Sequence, residues 1–261
     1  MISKGQALLY FAPLPQQPLQ GAVVPVSYTH LYETVCRATF LERPNRFVAW
    51  CDLAGERVRC HVKNTGRCGE LLLPGAQVVL QDRRGRAEGQ KTQFSLVSVY
   101  KGEMLVNIDS QAPNAVVKEA LLSGALALPG YQSPDLVRAE YPFGASRIDF
   151  YLEKGGRRAL VEVKGVTLEE GGGLYFPDAP TQRGVKHIEE LERAHAQGWD
   201  AFLLFVAQLS PARFLSPNDR THPQFGQALR RAAAAGVTPL CYDCRVTEDS
   251  LVLGRPVEVR L

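Results

Sequence analysis

The chain has 261 residues, 45% apolar and 22% charged, which suits one large or two modest globular domains and excludes a disordered polymer. Its formal charge of +3 permits a nucleic-acid partner without indicating one. No apolar run approaches the roughly 20 residues that span a bilayer and Met1–Leu19, broken by Pro13, Pro15 and Pro18, makes a poor signal peptide, so the chain reads as soluble and cytoplasmic, with no membrane partner; the sequence does not give the oligomeric state.

Residues 1–30 are rich in Pro and Gln and carry no sustained period. Pro25-Val-Ser-Tyr-Thr-His-Leu31 is similar to a translated sequencing adapter, so this segment is expected to be a disordered arm or a foreign extension. Residues 31–102 read as all-β. Val35–Glu42, Phe47–Leu53, Arg57–Val62, Gln77–Gln81 and Thr92–Tyr100 are rich in β-formers and separated by Pro44-Asn45, Ala54-Gly55 and the loop Asn64-Thr-Gly66. Five short strands in this span predict a small barrel of the OB type, with an SH3-like barrel as the alternative. Arg83, Arg84 and Arg86 cluster in one turn, which is ordinarily solvated surface.

The period changes over residues 103–261. Asn114 is expected to cap a helix whose apolar positions Val117, Leu121 and Ala125 fall four apart, brought to an end by Gly124 and Pro129. Strands follow at Leu136–Tyr141, Ser146–Leu152 and Arg158–Val163, then a helix over Thr181–Gln197 and an apolar strand, Ala201–Ala207. A helix over Gln224–Ala235, bearing Arg230 and Arg231, and a strand over Val237–Tyr242 complete the series. This order predicts an α/β (α+β) domain with helices packed on a sheet. The six cysteines read as free thiols, and Cys241-x-x-Cys244 lacks the two further ligands that zinc needs.

The chemistry concentrates around Gly155-Gly156, a two-residue hairpin turn. In that register, paired residue numbers sum to a constant: Asp149 faces Glu162, Arg147 faces Lys164, and these four share one face, while Ile148, Phe150, Leu152, Val161 and Val163 form the core face. Opposed carboxylates repel, and a hard divalent cation, Mg²⁺ or Mn²⁺, would relieve them, with the Val163 carbonyl as a third ligand. Lys164 would orient or deprotonate water, or stabilise charge on a phosphate. The bland alternative is a solvated face with a cross-strand ion pair. Glu119 and Glu140 are candidate supporting carboxylates. Thr181 is expected to cap its helix, where Gln182, Arg183, Lys186 and His187 crowd the first turns in a manner suited to phosphate. Gly171–Gly173 suggests a mobile flap.

Asp149 with Glu162-Val-Lys164 resembles the PD-(D/E)xK nuclease signature. The wider set is more specific. Phe40-Leu-Glu-Arg-Pro-Asn-Arg-Phe47, Asn64-Thr-Gly-Arg67, Ser146-Arg-Ile-Asp-Phe150, Glu162-Val-Lys-Gly-Val-Thr-Leu168, Phe176-Pro-Asp-Ala179, Arg183-Gly and Lys186-His187 resemble the sugar fermentation stimulation protein A family from Leu31 to Leu261. The resemblance implies an OB-like domain followed by a restriction-endonuclease-like PD-(D/E)xK domain, binding of DNA without sequence preference, and a link to maltose metabolism. It assigns Asp149, Glu162 and Lys164 as the catalytic and metal-binding positions. Two readings result: a metal-dependent nuclease, gripping the backbone through Arg147, Gln182, Arg183, Lys186, His187, Asn64 and Arg67, or a non-catalytic DNA-binding regulator. RNA is a second candidate partner.

Overall fold

The computed structural model describes residues 32–64, 66–85 and 92–261. The Pro- and Gln-rich segment 1–30, Thr65 and Arg86 lie outside them. Six strands come first: β1 (Val35–Asn45), β2 (Val48–Leu53), β3 (Glu56–Val62), β4 (Gln77–Asp82), β5 (Phe94–Lys101) and β6 (Met104–Asn107). A parallel pairing of β3 with β5 closes the antiparallel series β3-β2-β1-β4-β5 into a ring. That connectivity makes the barrel OB-like and removes the SH3-like alternative. Inward-pointing Ala49, Cys51, Cys60, Val62, Val78, Leu80 and Leu96 fill it. β6 continues this sheet past Gly102 by pairing with β5.

A mixed nine-stranded sheet follows, in the order β10-β11-β13-β15-β14-β12-β9-β8-β7. Its strands are β7 (Leu136–Phe143), β8 (Ser146–Lys154), β9 (Arg157–Val166), β10 (Glu169–Glu170), β11 (Gly173–Phe176), β12 (Asp200–Ala207), β13 (Phe214–Pro217), β14 (Thr238–Val246) and β15 (Leu251–Val259). Helix α1 (Ala112–Ser123) covers one face, and α2 (Gln182–Ala196) and α3 (Pro223–Ala234) cover the other. The apolar run in β12 shows why this strand has no polar face: Phe202, Leu204 and Val206 pack with α1, and Ala201, Leu203 and Phe205 with α2 and α3. The chain is therefore mixed α+β, a barrel followed by a layered sheet domain. No helix among the described residues is long and apolar enough to cross a membrane.

The barrel and sheet domain share a core and a polar seam. Asn107 N donates to Gln208 O (2.9 Å), and the Gln208 amide returns bonds to Asn107 Oδ1 (2.8 Å) and Asp109 O (2.9 Å). Lys101 pairs with Glu169, at the start of the β10–β11 hairpin. Arg213 binds the Gly171 carbonyl of the same hairpin. The expected flap at Gly171–Gly173 is thus a short hairpin held from both sides. All six cysteines are unpaired.

Candidate metal site at the end of the central hairpin

The hairpin register is as the Gly-Gly turn requires: Lys154 pairs with Arg157, Leu152 with Ala159 and Phe150 with Val161. Gly155 and Gly156 both take positive φ, +55° and +80°, which side chains disfavour. The ladder then stops one step short of Asp149 and Glu162. In place of the next ladder bonds, the Asp149 carboxylate reaches across, and Oδ2 accepts the Val163 N–H at 2.7 Å. The N–H and C=O of one strand residue point to the same side, so the Val163 carbonyl also faces this gap. Face alternation breaks here too. Ile148, expected beside Phe150, packs instead with Tyr151, Leu160 and α2, while Phe150 packs with α1.

Glu162 is 2% exposed. Its Oε1 takes both Lys164 Nζ and His187 Nδ1. Arg183 Nε donates to His187 Nε2 at 3.3 Å. A guanidinium cannot accept, so the ring proton lies on Nδ1 and points at Glu162. Glu162 Oε2 is buried with no hydrogen-bond partner. Burial alone pushes the Glu162 carboxyl up, but the His187 bond and the Lys164 charge outweigh it and hold it below the usual range. For Asp149, burial and then the Glu162 charge push the carboxyl up to about 6, against bonds from Val163 N and from Asn114 Nδ2 to Oδ1 (2.7 Å).

A hard divalent cation fits this donor set. The two carboxylates lie near enough for the Glu162 charge to push Asp149 up, Glu162 Oε2 is buried without a donor, and the Val163 carbonyl lies on the Asp149 side of its strand. Among the described residues no group of three or more His, Cys, Asp or Glu side chains is gathered for a metal, so the remaining positions would fall to water or substrate oxygen.

The other candidates are placed differently. Arg147 does not face Lys164; it is two-thirds exposed and lies 3.6 Å from Glu140, which stands on the edge strand with φ +56°. Glu119 lines a shallow depression on α1 with Ala115, Lys118 and Leu122. Thr181 caps α2 as expected, accepting Gly184 N at 3.0 Å, and Gln182 meets His222 (3.3 Å). Lys186 and Arg67 are exposed. Asn64 is structural, donating to Ile108 O (2.9 Å) and accepting from Gly66 N (2.7 Å).

Asn114 was expected as a cap. The cap position is Gln111, Pro113 occupies the first turn, and no side chain caps the helix; Asn114 instead holds Asp149. Gly165 makes this possible, since a Cβ there would stand 2.8 Å from Pro113 Cγ and 2.5 Å from Gln208 Oε1. Nothing in the local sequence distinguishes an N-terminal Asn that caps from one that reaches another strand.

The class defined by this architecture is a two-domain protein with an OB-like barrel docked on a layered mixed-sheet domain. Residues 41–108 match the model of the SfsA N-terminal OB domain, and residues 111–250 that of the sugar fermentation stimulation protein RE domain. Sugar fermentation stimulation protein homologs of Desulfitobacterium hafniense and Clostridium beijerinckii are 48% and 43% identical to the chain over 230 residues, 88% of this chain and 98% and 99% of theirs. The chain belongs to the sugar fermentation stimulation protein family. The solved structure of Pyrococcus furiosus SfsA in complex with Ca²⁺ shares the fold, with a TM-score of 0.79 over 88% of this chain and 97% of that one, at 24% identity.

Proposed function

We propose that the chain is a divalent-metal-dependent phosphodiesterase acting on DNA, with Asp149 and Glu162 as the metal-holding carboxylates. The observation that carries this reading is Glu162 Oε2, a buried acceptor with no donor, on a residue whose charge is felt by a second carboxyl, Asp149, whose ionisation burial already opposes. Leaving such an atom unsatisfied costs about 1–3 kcal/mol. A bound Mg²⁺ or Mn²⁺ would supply charge neutralisation and an acidified water. His187 and Lys164 fix Glu162 by one oxygen and leave the other without a partner. Lys164 Nζ, already a cation beside Glu162, is placed to stabilise charge on phosphate oxygens as water adds to phosphorus and the bond to the leaving oxygen breaks. The Pyrococcus furiosus SfsA structure is a complex with Ca²⁺, which supports a divalent cation as a ligand.

A second reading, a DNA-binding regulator without turnover, draws on the donors already on both Asp149 oxygens and on the short ligand set. Full-length protein and Glu162→Gln, incubated with duplex, single-stranded and branched DNA and with RNA, separate the two. Cleavage by the wild type in Mg²⁺ or Mn²⁺, lost in the variant and with chelator, is the expected result and names the substrate. Binding with no cleavage of any substrate selects the regulator.

A further inference from the structure

The tip of the β1–β2 hairpin carries an aromatic side chain that the core does not use. Among the described residues, the exposed large apolar side chains are Phe47, Leu73, Leu122 and Leu261, and Phe47, 54% exposed, is the aromatic one. Its neighbour Trp50 is already covered by the Arg57 guanidinium, 4.8 Å from the ring centroid.

Phe47 sits on a rigid base. Arg43 donates to four backbone carbonyls: Arg46 O (2.8 Å), Asn64 O (2.6 Å), Gly66 O (2.9 Å) and Arg67 O (2.7 Å). One guanidinium thereby clamps the hairpin tip to the loop after β3. Arg46 and Arg67, on the two clamped segments, are exposed and have no carboxylate partner among the described residues. By contrast Arg57 pairs with Glu42, Arg230 with Asp219 and Arg231 with Glu192.

The clamped loop also lies between the elements that hold the candidate site. Asn64 bonds to Ile108, just before α1, whose Asn114 holds Asp149. A Cβ on Gly66 would stand 2.5 Å from Asp178 Oδ2, just before α2, whose His187 holds Glu162. Arg183 and Lys186 in the first turns of α2 are also exposed.

We propose that Phe47, flanked by Arg46 and Arg67, is a stacking site for an unpaired base, so that the substrate is single-stranded or locally unpaired nucleic acid. This rests on the nucleic-acid reading of the site and deepens it. A bare aromatic face accepts any base, while cations on either side take the phosphates that follow it. A paired base inside a duplex has both faces covered by its neighbours and offers nothing to Phe47.

The test measures binding by the full chain with chelator present, so that it is independent of cleavage. The probes are fluorescent oligo-dT, oligo-rU and a blunt duplex of matched length. Phe47→Ala is expected to weaken binding of the unpaired strands about tenfold, Phe47→Trp to restore it, and duplex binding to be unchanged by either. Arg46→Ala with Arg67→Ala should lower the salt dependence on every probe. Equal loss on dT and rU locates the recognition in the base stack, and loss on one alone names the strand. Unchanged affinity of Phe47→Ala for both unpaired strands, or an equal loss on duplex, overturns the proposal. No binding of any probe by the wild type would overturn the nucleic-acid reading itself. Unchanged thermal melting of Phe47→Ala confirms that this exposed position leaves the fold intact.

Discussion

At the scale of single residues, Asp149 and Glu162 show how two carboxylates of similar intrinsic acidity are driven apart by what surrounds them. Glu162 meets a His187 N–H and the Lys164 ammonium and is held ionised. Asp149 meets uncharged amide donors and the Glu162 charge, and burial raises it from 3.8 to about 6. A carboxyl raised in the folded state favours folding most when protonated, and that advantage is lost as pH rises from about 4 through about 6. The ionised group then costs about 2–3 kcal/mol at neutral pH. Asp149→Asn is accordingly expected to stabilise the metal-free protein by about that amount at pH 7 and to have little effect below pH 4, read from urea denaturation at each pH. A variant less stable than wild type at pH 7 would show that Asp149 is held by its hydrogen bonds more than it is penalised by burial.

At the scale of elements, the central hairpin was legible because a Gly-Gly turn fixes register by counting, and the ladder follows that count from Lys154–Arg157 to Phe150–Val161. What counting could not reach is the end of the ladder. There, a side chain replaces backbone pairing, Ile148 changes face, and Arg147 turns to Glu140. Helix α2 was legible from Thr181 and from Ile188, Leu191 and His195 on one stripe, but the role of His187 was not. Helical spacing places it near the N-terminus without saying that the first turns lie against Glu162. The cap itself is testable: Thr181→Ala removes the acceptor for Gly184 N and should lower stability by about 1 kcal/mol with an unchanged denaturant slope. No loss would mean that solvent satisfies that N–H equally well. Strands β10, β11, β13 and β15 escaped the sequence reading: the first three are only two to four residues long, β13 pairs in parallel with β11 and β15 across intervening elements, and the burial pattern of β15 does not alternate.

At the scale of the whole molecule, the barrel was predictable from five short β-rich runs, but its closure depends on a parallel pairing between β3 and β5 that no local pattern encodes. The docking of the two domains was equally hidden. It rests on Asn107, Gln208, Lys101 and Glu169, polar residues that read individually as surface. Docking places the loop after the third strand beside both helices that hold the candidate carboxylates, so binding and chemistry would share one boundary. The central claim is that these carboxylates hold a divalent cation. The most direct test is calorimetric titration of the full chain with Mn²⁺ at pH 7.5, for wild type and for Glu162→Gln. One site in the wild type, absent in a variant that melts normally, is the predicted result; equal binding by the variant would place the metal elsewhere and contradict the account.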